Sequence, residues 1–292
     1  MTIECPYCGL RAAKLKHQGV HHKVDPTFGP FDLLECQRCG SLGTSPLPTL
    51  SRLAEFYSSY RDHRPDWYNA ALKDNALSSQ YQFYARFLMS HLRKGGTWAD
   101  VGAGHGEVSS IISSQLPKSA GTAIDIGERP KGIPDAVEYI PKDLNKGGWA
   151  SSIAQKFDLV FAVAVWEHVV NPAQFAAESL SLVAEGGKLI LITPDNGSLA
   201  AKVLGKRWPY FEPGEHLSIP TRAGAIACLH RAAVKSGLDE KHVSIAARRL
   251  SVGYSIRYVL QVLRVKRIAK LVPTNLAAPL PTGILAAIAQ RA

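Results

Sequence analysis

From residue 97 onward the chain alternates short apolar runs with stretches of helical spacing, the pattern of an α/β sheet protein. Thr97-Trp98-Ala99-Asp100-Val101 reads as a buried strand, Glu107 to Ile112 opens a helix, and Gly121-Thr122-Ala123-Ile124 reads as the next strand. Before this region, Leu53, Phe56 and Tyr57, then Tyr81, Tyr84, Phe87 and Leu88, recur at intervals of three and four, which predicts helices over about 51–94. Aromatics at that spacing pack in a core more often than they line a substrate entrance. Near the end, Val252, Ile256, Val259, Leu260 and Leu263 have helical spacing, and 252–263 is read as a helix.

Length and composition narrow the class. At roughly 100–200 residues per domain, 292 residues allow one large domain, or one domain and a small module. Hydrophobic residues are 46% and charged residues 20%, enough to bury a core and too apolar for wholesale disorder. No run of about 18 apolar residues predicts a spanning helix. The start, MTIECPYCGL, lacks a secretory pattern, so a cytoplasmic location is expected. The net charge of +10 is concentrated at one end. After Glu240 there is no acid, while Lys241, Arg248, Arg249, Arg257, Arg264, Lys266, Arg267, Lys270 and Arg291 follow. This segment, about 241–292, offers a surface for an anionic or phosphorylated acceptor or an anionic membrane, with a solvated or core-covering helix as the plainer reading. No recognition motif in it supports nucleic acid.

Four of the five cysteines form two C-x2-C pairs, Cys5/Cys8 and Cys36/Cys39, each followed by glycine. Turns of this kind aim two sulfurs at one ion, and four thiolates at about 2.3 Å close a tetrahedral Zn²⁺ site. The expectation is a structural zinc ribbon over 1–45, too small to build its own core without the metal. His17, His21 and His22 are alternative ligands. Cys228 stands apart and reads as a buried small hydrophobe.

Between the strands at 97–101 and 121–124 lies Gly102-Ala103-Gly104-His105-Gly106, a glycine-rich turn at a helix N-terminus, where a ligand can approach the backbone. Asp125, 19 residues after Gly106, is placed to accept both ribose hydroxyls of a nucleoside. The spacing is not the G-x-G-x-x-G of dinucleotide binders. Asp100 beside the turn is awkward for a pyrophosphate but suits a cation, so the electrostatics favour S-adenosylmethionine over a nicotinamide cofactor.

The run Asp100-Val101-Gly102-Ala103-Gly104-His105-Gly106 resembles the first motif of class I S-adenosylmethionine-dependent methyltransferases, and Ala123-Ile124-Asp125-Ile126 their second. Pro141-Lys142-Asp143-Leu144, Phe157 to Ala162 with Trp166-Glu167-His168-Val169, and Glu185 to Pro194 resemble three further motifs, in order. Thr193-Pro194-Asp195-Asn196, Trp208-Pro209 and Pro213-Gly214-Glu215-His216-Leu217 are similar to a bacterial subfamily with an N-terminal four-cysteine ribbon, associated with polysaccharide and secondary-metabolite methylation. The last run, Ile284 to Ala289, looks like the family's final strand. The resemblance implies an α/β, Rossmann-like sheet of seven strands, the last antiparallel. The expected organisation is a ribbon at 1–45, a helical linker or cap at 46–94, and a methyltransferase domain at 95–292.

By the same resemblance, Gly102, Ala103, Gly104 and Gly106 carry the loop past the methionine part of the cofactor, and Asp100 takes its ammonium. Asp125 and Ile126 hold the ribose, Asp143 and Leu144 reach the adenine, and Ala162 and Val163 wall the adenosine. For Asp143, a helix N-cap is the competing reading. His168 and His216 are the candidate bases for a hydroxyl acceptor, each weighed against a purely structural role. Some relatives carry Glu-x-x-Glu-His after the fourth strand and bind a divalent ion. Here Ala164 stands where the first carboxylate would be, which leaves Glu167, His168 and His216 as an incomplete set. The aromatic loop Trp208 to Pro213 is read evenly as an acceptor-stacking surface or a packed lid. The expected reaction is methyl transfer to a small-molecule or sugar acceptor, most simply at oxygen. An RNA-binding protein that uses the ribbon and basic tail is the alternative.

Overall fold

The computed structural model describes residues 4–23, 25–62, 76–257, 260, 265–273 and 276–292. Strands β1 (Ala13–Val20), β2 (Phe31–Cys36) and β3 (Leu42–Ser45) form an antiparallel N-terminal sheet. Helices α1 (Leu50–Asp62) and α2 (Ala76–Met89) follow, then β4 (Thr97–Val101), α3 (Glu107–Gln115), β5 (Ala120–Asp125), β6 (Val137–Pro141) and β7 (Phe157–Val163). The rest is α4 (Pro172–Ser181), β8 (Val183–Pro194), α5 (Leu199–Leu204), β9 (Ser218–Ile219), α6 (Arg222–Lys235), β10 (Val243–Ser255), the short α7 (Lys266–Ala269) and β11 (Ala277–Arg291).

The large sheet has seven strands in the order β10-β11-β8-β7-β4-β5-β6. β4 to β8 run parallel, and β11 lies antiparallel between β8 and β10. Alternate side chains of each central strand enter different cores, as a sheet covered on both faces requires. Ala99, Val160, Ala162, Leu189 and Leu191 pack with Phe175 of α4 and Leu229 of α6. Trp98, Leu159, Phe161, Ile190 and Ile192 pack with Leu88 of α2 and Ile112 of α3. Trp98 lies so close across β5 that a Cβ on Gly121 would sit 2.1 Å from its ring.

The small sheet joins the large domain through β9, which pairs with β3 (Leu42 opposite Ile219, Gly43 opposite Ser218). Tyr7 is fully buried edge-on against Trp166, with ring centroids 5.3 Å apart. Arg231 of α6 donates to the Tyr7 carbonyl at 3.1 Å, and Asn196 Nδ2 donates to the Gly40 carbonyl at 2.8 Å.

One expected element differs. The helix read over 252–263 begins inside a strand: β10 continues to Ser255 and pairs Val252 with Leu280. The spacing of Val252 and Ile256 is shared by helix and strand, and the partner β11 decides between them. Val259 and Leu263 lie outside the described residues. No helix among the described residues is long and apolar enough to cross a membrane.

Candidate active site

The C-terminal ends of β4, β5, β7 and β8 open into a cavity of about 1060 Å³, where ligands bind in open α/β sheets. One end is the glycine turn. Gly102 (φ +79°) and Gly104 (φ +57°) adopt left-handed backbone that only glycine takes without strain. A Cβ on Gly102 would lie 2.4 Å from Val165 Cγ2, whereas one on Gly104 would meet nothing within 4 Å. The turn is therefore closed on its inner side and open toward the cavity. Gly106 (φ +86°) is the N-cap of α3, which has no side-chain cap, and a Cβ there would strike Ile133 at 2.6 Å.

Asp100 is buried beside the turn and accepts one hydrogen bond, from Ser109 Oγ to Oδ2 at 2.7 Å. Burial, with the charges of Asp125 and Glu107, pushes its carboxyl up to about 7 against that bond. Asp125 accepts from the backbone N–H of Gly104 and of Ile126, both at 2.6 Å.

At the other end the cavity is lined by Leu53, Tyr57, Tyr81, Tyr84 and the loop 209–216, with Glu167 and His168 between. The chain turns from β7 to these two residues through Ala164, whose φ of +54° makes it the one non-glycine residue with positive φ among the described residues. Such strain is held in place by the surrounding structure, here by the Ala164 N–H bond to the Ile192 carbonyl at 2.9 Å. Glu167 is 1% exposed and accepts from Thr193 Oγ1 at 2.9 Å. Burial raises its carboxyl above the ordinary range. His168 and His216 meet edge to face with ring centroids 4.7 Å apart. His168 Nδ1 lies 3.1 Å from the Glu215 carbonyl, and His216 Nδ1 lies 2.7 Å from the Tyr210 carbonyl. A carbonyl only accepts, so His216 Nδ1 carries the proton, while His168 Nδ1 also lies 3.1 Å from the Tyr57 hydroxyl, which can either donate or accept. Burial and the neighbouring His168 push His216 down to about 3, so its ring is neutral at ordinary pH.

Two more carboxylates close this end. Glu212 is pushed up to about 8 by burial and by Glu215, against the pull of Lys23. Glu215 accepts from His22 Nε2 at 2.9 Å. Burial alone would raise Glu215, but that bond and the neighbouring imidazoles hold it below its ordinary range.

The cavity gathers Asp100, Gly102, Ala103, Gly104, Asp125, Ile126, Asp143, Leu144, Val163, His168 and His216. Gly106 is instead packed against Gly132 and Ile133, and Ala162 points into the core under α4 and α6. Asp143 heads no helix; its Oδ1 accepts from Asn145 N at 3.1 Å in a turn. Tyr57, Tyr81 and Tyr84 line the cavity as well as packing in the core. Glu212 and Asn145 also line it and were not foreseen, since neither stands in a pattern that spacing alone makes visible. His22, weighed as a metal ligand, faces Glu215 instead.

The four sulfurs of Cys5, Cys8, Cys36 and Cys39 lie within 4.8 Å of one another, with Cys5–Cys39 and Cys8–Cys36 each at 3.6 Å. Tetrahedral Zn–S bonds of about 2.3 Å need sulfurs about 3.8 Å apart, so the donor set and its span fit a small zinc site. Cys228 is fully buried on α6. Several basic residues of the C-terminal segment have structural partners. Arg249 Nε donates to buried Asp195 at 2.5 Å, Arg248 sits 4.6 Å over the Phe87 ring, Arg257 donates to the Val272 carbonyl and Arg291 to the Val183 carbonyl.

A family model described as a methyltransferase domain matches residues 72–233. No curated protein matches the sequence. Among solved structures, the plantazolicin methyltransferase BpumL, in complex with a triazolic desmethylPZN analog and SAH, superposes with a TM-score of 0.54 at 14% identity, covering 80% of this chain and 94% of that one. BamL, a second plantazolicin methyltransferase in the same kind of complex, gives 0.53 at 14% identity, with the same coverage of 80% and 94%. The pyocyanin biosynthetic protein PhzM gives 0.51 at 15% identity, covering 80% of this chain and 61% of that one. At these identities the likeness is one of fold, and the family match rests on the sequence itself: the chain belongs to the methyltransferase-domain family.

Proposed function

We propose that this methyltransferase, which takes its methyl group from S-adenosylmethionine, delivers it to a small-molecule or carbohydrate acceptor at an oxygen. One observation carries the reading: a single cavity joins the glycine turn to a second chamber lined by tyrosines, carboxylates and two histidines. The cofactor supplies a methyl group activated on a sulfonium, with a neutral leaving group. The open side of Gly104 is the cradle for its methionine part, and Asp100 is the carboxylate for its ammonium. Asp125 takes the ribose, while Asp143 and Leu144 border the adenine.

At the acceptor end the protein's work is alignment and proton removal. His168, held through Nδ1 by the Glu215 carbonyl and the Tyr57 hydroxyl, both at 3.1 Å, is the residue to take a hydroxyl proton. His216 is too weakly basic for that task and acts in binding. Zinc in the four-cysteine site folds the N-terminal module against the acceptor loop.

Calorimetric titration with S-adenosylhomocysteine tests the reading. Wild type should bind, and Asp125→Ala should weaken binding at least about tenfold, or about 1.4 kcal/mol, while remaining folded. Equal affinity in the two proteins would overturn the cofactor assignment.

A further inference from the structure

Past the end of β8 the large sheet continues at β10 and β11 as two strands only. β11 pairs with β8 from Gln290 back to Ile284, which stands opposite Pro194, and Ile284 and Pro194 both line the cavity. From Gly283 back to Ala277 the partner of β11 is β10, with Leu280 opposite Val252. Seven residues of strand span about 20 Å, so this hairpin projects from the sheet on the side where the cavity opens. The short α7 and the turn after it belong to its tip. Among the described side chains of 265–273 only Ala269 is buried. Leu271 is 83% exposed and Ile268, three residues before it, 54%; Val265 and Leu276 are exposed as well. Arg267 and Lys270 stand exposed among them.

At the base of the hairpin, α5 repeats this composition. Its N-cap Ser198 and the Trp208 that follows it pack on β11. Trp208 Nε1 donates to the Thr282 carbonyl at 3.1 Å, and a Cβ on Gly283 would lie 2.5 Å from Ser198 Oγ. Leu199 and Val203 are four residues apart, hence on one helix face, and are 73% and 72% exposed. Lys202, Lys206 and Arg207 are exposed beside them. The sequence holds no acidic residue between Asp195 and Glu212, and none after Glu240. Two elements past the C-terminal end of β8 therefore expose large aliphatic side chains among charges of one sign.

That pairing calls for a partner that is negative and apolar at once. A nucleic acid offers the charge but no medium for Leu199, Val203, Ile268 and Leu271. A folded protein receives such side chains in a fitted hollow, whereas these stand out on a projecting tip and a short surface helix. An anionic bilayer offers phosphate to the cations and an acyl boundary to the aliphatic groups, with no fitted contour required. We infer that the chain docks on an anionic membrane surface through α5 and the tip of the β10–β11 hairpin, with the open side of the cavity toward the lipid. This goes beyond methyl transfer and holds whatever acceptor the cavity takes.

Co-sedimentation of the full chain with lipid vesicles tests this. Vesicles of phosphatidylglycerol and phosphatidylcholine in equal parts should bind at least about tenfold more tightly than phosphatidylcholine alone, and added salt should narrow the difference. Ile268→Ser with Leu271→Ser should weaken that binding at least about tenfold. So should Leu199→Ser with Val203→Ser, and Arg267→Glu with Lys270→Glu. These side chains are exposed and lie outside the cavity lining, so the unfolding midpoint of each variant should match wild type. No binding to the anionic vesicles, equal binding to both kinds, or full binding by either serine pair would overturn the proposal. Polyuridylate bound as tightly as the anionic vesicles, and equally by both serine pairs, would show a surface for any polyanion and sink it too. A dimer in analytical ultracentrifugation that Ile268→Ser with Leu271→Ser disperses would make the tip a contact between copies instead.

Discussion

His22 and Glu215 are 193 positions apart in the sequence and meet at 2.9 Å, Nε2 to Oε2, in a site where neither is exposed to more than a trace of solvent. The carbonyl of the same Glu215 lies 3.1 Å from His168 Nδ1. A residue of the N-terminal module thus holds the loop that orients the candidate base. Removing one partner of a buried pair strands the other and costs about 3 kcal/mol. His22→Ala should therefore lower the unfolding midpoint and raise the acceptor KM, with S-adenosylhomocysteine affinity within about twofold of wild type. Denaturant unfolding and calorimetry check both halves. A variant as stable as wild type would show the pair to be inert.

The glycine turn makes an asymmetric prediction. Gly102→Ala places a methyl 2.4 Å from Val165 Cγ2 at a φ of +79° and should abolish cofactor binding. Gly104→Ala meets no atom and carries only the left-handed backbone cost, about 1 kcal/mol. Titration of both variants with S-adenosylhomocysteine checks this. Similar losses at the two positions would contradict the geometry.

Asp100 gives a pH dependence. In the free protein its carboxyl is pushed up to about 7, mainly by burial, so the fold favours the protonated form. Its effect on stability is absent below the unfolded value near 3.8, becomes increasingly unfavourable as pH rises from there to about 7, and is constant above. A cationic cofactor needs the ionised form. Affinity for S-adenosylmethionine should accordingly fall as pH drops below about 7, by up to about tenfold per unit. Asp100→Asn should bind weakly and without this slope. Titrations at several pH values on both proteins decide it, and a wild-type profile as flat as the mutant's would remove Asp100 from the site.

Metal removal should act on one end of the cavity only. Chelation or Cys36→Ser should release one zinc per chain, measured by elemental analysis, and loosen the β3–β9 junction. Acceptor binding should weaken while S-adenosylhomocysteine affinity holds. Absence of zinc from carefully prepared wild type would refute this.

The sequence made the central sheet legible because its strands are short, apolar and punctuated by glycine. Thr97 to Val101, the turn to Gly106 and Asp125 stand in the structure where their spacing puts them. The four cysteines were legible for a chemical reason, since paired thiols at that spacing have few other uses. The acceptor end was not. His22 and Glu215 come together through long-range contacts such as the two-residue pairing of β3 with β9 and the Lys23 bond to the Trp208 carbonyl, which no local period announces. The polar surroundings of Glu212 depend on what packs over loop 209–216, not on its sequence neighbours. At Val252 to Ser255 the helical period misled, because strand pairing with Leu280 to Ala277 outweighed it, whereas Ile256, Arg257 and Leu260 are helical as read.

Tyr7 seals Trp166, and β3 completes the edge offered by β9. The N-terminal module is accordingly packed behind the loop that lines the cavity and is not a bead strung before it. Cutting the chain after the cysteines would bare an unpaired strand edge and a buried tryptophan at once, the kind of surface on which proteins aggregate. Any exchange of this module between proteins would have to carry loop 208–221 with it, because the two are built as one packed unit.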